Sequence, residues 1–127
     1  MKIAALIARI LLGLLFVVFG LNGFLHFIPN GPMPTGLAGE FVDALMKSHY
    51  VLVVSAIQVL GGALLLVNRY VPLGLTLLGP VIMNILLFHL LLNHTGLAMA
   101  IVVAILWGIV AFQQRQYFSS LFVQKTS

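Results

Sequence analysis

Asn22 and His26 stand four residues apart in LNGFLHF, a stretch that is otherwise apolar, and Asn84 and His89 stand five apart in NILLFH. Gln58 interrupts a third apolar stretch just ahead of Gly61 and Gly62. An amide offers donors and an acceptor, and a neutral imidazole offers one of each, so these side chains can hold a small oxygen-bearing head group or tie helices together. Two histidines also suffice as axial ligands of a haem iron, whereas a catalytic zinc needs a third protein ligand, here His49, Glu40 or His94. The chain has no cysteine, which removes thiolate metal sites, disulfides and thiol relays. No phosphate-cradling glycine loop, nucleophile elbow or carboxylate pair occurs, so no self-sufficient catalytic motif is present.

The elements that carry these residues are dictated by the surroundings the composition demands. Of 127 residues, 62% are hydrophobic and 6% charged, and the mean hydropathy is +1.20. A water-soluble domain needs about 25% charged residues for its polar skin, so the lipid bilayer is the expected partner and solvent. Nucleic acid is not an expected partner: the formal charge is +4, but the basic residues are scattered rather than gathered on one face. Four continuous apolar runs, 3–28, 50–67, 72–92 and 97–112, are read as membrane spans, helical because lipid forces backbone hydrogen bonds to close within each segment. The first run lacks a small-x-small cleavage site and is expected to be retained.

The expected fold class is all-α, an antiparallel bundle of four transmembrane helices in one integral membrane domain, 1–127. NRYV and NHTG leave room only for tight hairpins. The first loop is longer and opens with PNGPMPTG. Its second half places Leu37, Phe41 and Leu45 on one helical face and Glu40, Asp43 and Lys47 on another, predicting an amphipathic helix over about 37–48 that lies at the membrane interface. Lys2, Arg9, Arg69, Arg115 and Lys125 fall on the side of the termini and only Lys47 on the other, which predicts cytoplasmic termini. Arg9 is read as snorkelling to that interface. Pro80 predicts a kink by freeing the carbonyl of Thr76, and Ala100, Ala104 and Gly108 predict a small-residue groove for helix packing within the bundle or in a homo-oligomer.

Threaded this way, the far ends of the first and third spans come side by side. At about 1.5 Å per residue, Asn22 lies ~9 Å deep, Gln58 and Asn84 ~12 Å, and His26 and His89 only ~3 to 5 Å. Asn84 and His89 fall ~140° apart on a straight helix. Unpaired, such groups cost several kcal/mol in hydrocarbon, so they must find partners. Three readings follow. The first is interhelical glue, at about 0.6 kcal/mol for each hydrogen bond. The second is a pocket for an amphipathic ligand such as a quinone, with Glu40 and Asp43 at its rim. Last in order stands haem ligation by His26 and His89. A transporter or channel would need a polar path through both leaflets, and the half bearing Thr76, Asn68 and Arg9 offers almost none.

RILLGLLFVVFGLNGFLHFIP at 9–29 and QVLGGALLLVNRYVPLGLTLLGPVIMNILLFHLLL at 58–92 resemble the DoxX family of small bacterial membrane proteins, in its DoxX-like branch. The resemblance implies a four-helix membrane bundle, and some relatives are subunits of a thiosulfate:quinone oxidoreductase. It carries Asn22, His26, Asn84, Phe88 and His89 over as site residues. Gln58 stands where the resemblance leads one to expect an acidic residue ahead of the glycine pair, so no proton relay is implied there. The combined expectation is a quinone- or lipid-binding membrane partner of a redox protein, with a structural or oligomerising module as the alternative.

Overall fold

The computed structural model describes residues 2–25 and 34–124, and among these every regular element is helical. In chain order they are α1 (Lys2–Leu25), α2 (Gly36–Lys47), α3 (Tyr50–Leu66), α4 (Val71–Leu87) running into a π-helical turn (Phe88–Leu92), α5 (Leu97–Gln113) and a 3₁₀ tail (Arg115–Phe122). The helices follow the apolar runs closely because a residue in lipid has no other way to satisfy its backbone. Lys2–Leu25 and Val71–Leu92 are each long and apolar enough to cross a membrane unaided. The 17-residue α3 and α5 complete the bundle, and each meets a shorter helix at a sharp bend, 81° from α2 to α3 and 85° from α5 to the tail.

The hairpins are tight because α3, α4 and α5 each begin on a left-handed residue: His49, Tyr70 and Gly96. Only Gly96 adopts that conformation without cost. The core is built of Leu12, Phe16, Leu65, Leu75, Leu78 and Val110, while Leu14, Leu73, Met83, Leu91 and Ile105 are exposed on the outside. An apolar exterior around an apolar core is the mark of a lipid-facing bundle.

The helices form a ring in which α1 packs on α3 and α5, and α4 also packs on α3 and α5. The first and third spans therefore lie diagonally across the bundle and not side by side, a correction to the threading expected from loop lengths alone. The reason is packing chemistry. Gly13, Gly20 and Gly23 let α1 settle directly onto α3, where a Cβ at Gly23 would fall 1.9 Å from Ser55 Oγ, and that contact takes the position beside α1.

α2 rests on α3 and on the π turn, with its Leu37 and Phe41 exposed and Ala38 buried. At the opposite end Arg9 does more than snorkel: its guanidinium donates to the carbonyl of Leu65 in the last turn of α3.

Candidate functional site

Four long helices and the π turn enclose a cavity of about 290 Å³ at the end of the bundle where α1 finishes and α3 begins. Leu15, Phe16 and Phe19 of α1 and Ile85 of α4 form apolar walls, and Met99, Ala100 and Val103 of α5 close the far side. Two polar side chains enter it from different elements, Gln58 from α3 and His89 from the π turn. The sequence put these residues 31 positions apart, and the fold brings them to one cavity.

His89 is held tightly. Its Nδ1 lies 3.1 Å from the carbonyl oxygen of Asn93. Gly96 lies against the ring, such that a Cβ there would stand 3.1 Å from Cε1. Phe88 packs edge-on to His89 at 5.2 Å and 80°, and faces Phe41 of α2 at 5.6 Å. Phe88 therefore fixes the imidazole from behind and joins the cavity end to the amphipathic helix. The turn after the π segment is closed by two more bonds: Thr95 N–H donates to Asn93 Oδ1 at 3.1 Å, and His94 Nε2 donates to the Leu90 carbonyl at 2.9 Å.

The remaining sequence candidates are placed elsewhere. Asn84 is exposed and returns its Nδ2 to the Pro80 carbonyl of its own helix at 2.9 Å. Asn22 is half-buried on α1 and engaged by a partner, but it does not line the cavity. His26 lies outside the described residues. On α2, Glu40 is exposed and Asp43 pairs with Lys47 at 3.0 Å. His49 is exposed at the start of α3. Among the described residues no three His, Asp or Glu side chains converge as a metal set.

A second, open groove of about 530 Å³ runs along the α4–α5 seam at the proline kink, between Gly79, Pro80 and Met83 on one side and Ala104 and Trp107 on the other. It is apolar, and the one polar group on its wall, the Trp107 indole, is spent on the Leu75 carbonyl at 3.0 Å. Within the chain the small-residue row on α5 is divided: Ala100 faces the cavity, Ala104 the groove, and a Cβ at Gly108 would meet nothing within 4 Å.

Sequence reasoning missed two features of the cavity, the π turn and Gly96. A one-residue widening of a helix leaves no trace in hydropathy. Gly96 did carry a signal, since a glycine directly before an apolar helix in a four-residue hairpin is the residue that can adopt a positive φ, here 85°.

The DoxX family model matches residues 4–90, more than half of the chain and all of α1 to α4 except its first two residues. No match to the chain was found among curated proteins or among solved structures.

Proposed function

Because the chain belongs to the DoxX family, we propose that this membrane protein binds a small amphipathic molecule of the quinone class in the cavity shared by Gln58 and His89. One observation carries the reading: two hydrogen-bonding side chains from different elements meet in a cavity whose other walls are apolar. Its volume is at the small end of the ~300–1,000 Å³ typical of ligand sites, suited to a single ring. Gln58 and His89 orient the oxygens of the ring, and Phe16, Phe19, Met99 and Val103 surround its apolar carbons. The positive residues gathered at the ends bearing Lys2, Arg69 and Arg115 favour cytoplasmic termini in a bacterial inner membrane.

With no catalytic motif of its own, the protein works in this reading by presenting the ligand to a redox partner protein, with residues 1–127 acting as one membrane unit. The test is to purify the protein gently, identify co-purified lipids by mass spectrometry and record the visible spectrum. The same is done for a Gln58→Leu, His89→Phe double variant whose thermal unfolding is checked in parallel. A quinone or quinol present in the natural protein and lost from the folded variant is the expected result. The same lipids in both overturn the reading.

A further inference from the structure

The hydrogen bond that anchors His89 also fixes what its free nitrogen can do. A backbone carbonyl only accepts, so the 3.1 Å contact with Asn93 O requires the proton to sit on Nδ1. In the neutral ring Nε2 is then bare, a lone-pair acceptor, and among the described residues it has no partner. The neighbouring histidine illustrates the opposite choice, since His94 spends its Nε2 on a carbonyl. The ring of His89 cannot easily turn over to exchange its nitrogens, because Gly96 lies against one face and Phe88 against its side.

We infer that the cavity selects a head group presenting a hydroxyl donor to His89 Nε2, a phenol or the reduced quinol form, over the corresponding quinone. This rests on the reading of the cavity as a ligand site and adds which redox form it prefers. A quinone carbonyl facing a bare Nε2 puts lone pair against lone pair and leaves a desolvated acceptor unmade. A quinol hydroxyl donates there, and its second oxygen can exchange a bond with the amide of Gln58, which offers both donor and acceptor. Among the described residues no other cavity-lining side chain can supply the donor a quinone would need: the rest are Leu, Phe, Ile, Gly, Met, Ala and Val.

The experiment uses the full chain in lipid nanodiscs and three probes built on one ring: a short-tailed benzoquinol kept reduced, its quinone, and its dimethyl ether. Binding is read by calorimetry. The quinol is expected to bind about tenfold or more tighter than either of the others, since both lack the donor. His89→Gln, whose amide can donate as well as accept, should bring quinol and quinone to similar affinities. Nitrogen-15 labelling of histidine provides a readout without ligand, with the His89 proton expected on Nδ1. A proton on Nε2, or quinone bound as tightly as quinol, overturns the inference while leaving the cavity reading standing. Failure of all three probes to bind overturns both.

Discussion

Gly13 and Gly62 face each other across the α1–α3 contact so closely that a Cβ on either would lie within 2.8 Å of the other's carbonyl oxygen. Backbone meets backbone there, with no flexible side chain to give way. In lipid, where apolar side chains gain nothing by leaving the solvent, such close approach is what holds two helices together. The α1–α3 pair is accordingly the most extensive in the bundle, and it sets the frame in which Gln58 of α3 and Phe16 of α1 share a cavity.

Gly62→Ala should therefore separate α1 from α3. Its new methyl would meet Gly13 O at 2.7 Å and Val17 N at 3.0 Å, a cost of about 1–3 kcal/mol for overpacking. Gly108→Ala is the contrast, because its methyl meets nothing within 4 Å and alanine is the better helix former by about 1 kcal/mol. Thermal unfolding in detergent should show a lower midpoint for the first and an equal or higher one for the second. A loss of stability in Gly108→Ala would instead point to a second copy packed on that face.

Gly96→Ala separates backbone strain from ligand geometry. Its φ of 85° disfavours any side chain by about 1–2 kcal/mol, and the methyl would press on His89 Cε1 at 3.1 Å. Gly36→Ala imposes similar strain at φ 66° with nothing within 4 Å. Both variants should lose comparable stability, and only Gly96→Ala should lose retained ligand in lipid mass spectrometry. Equal retention would dissociate the His89 ring from binding.

Trp107→Phe keeps an aromatic side chain, smaller than the indole, and removes one interhelical hydrogen bond, that to the Leu75 carbonyl. Such bonds average about 0.6 kcal/mol in membrane proteins and reach about 1.7. The unfolding free energy should fall within that range, with cavity binding retained, because Trp107 lines the groove and not the cavity.

What the sequence disclosed and what it withheld divide along physical lines. Hydropathy fixes where backbone must close on itself, so Leu25, Tyr50, Leu66 and Gln113 end or begin helices within a few residues of the apolar runs. The 3.6-residue pattern of Leu37, Phe41 and Leu45 likewise disclosed α2. Neighbour choice was not legible, because helices apolar all round carry no inward stripe, and the glycines that decide it act only once two backbones meet. Gln58 and His89 were legible as polar groups with nowhere to go in lipid. Asn84 was equally conspicuous, yet the Pro80 carbonyl one turn below satisfies it locally, a competition that no spacing rule resolves. The separation of Asn84 from His89 around α4 was foreseen from helical phase, and the π turn sets the final direction of the imidazole.

Arg9 gives the last prediction, at the end of the bundle away from the cavity. Its guanidinium reaches from α1 to the Leu65 carbonyl, which also accepts from Asn68 N–H at 3.3 Å in the closing turn of α3. A cation at a helix C-terminus complements both the unpaired carbonyls and the dipole, and here it also ties the first helix to the third. Arg9→Met keeps the apolar stem and removes the charge, so it isolates that tie. It should lower stability by about 1–2 kcal/mol, the scale of a hydrogen bond to a charged group, without altering ligand retention. Arg9→Lys should recover only part, because a point ammonium on a shorter reach replaces the planar fork. Unfolding midpoints of the three proteins in one detergent decide it: Met equal to Arg would mean that Arg9 merely snorkels to the interface and that the α1–α3 glycine contact holds that end unaided.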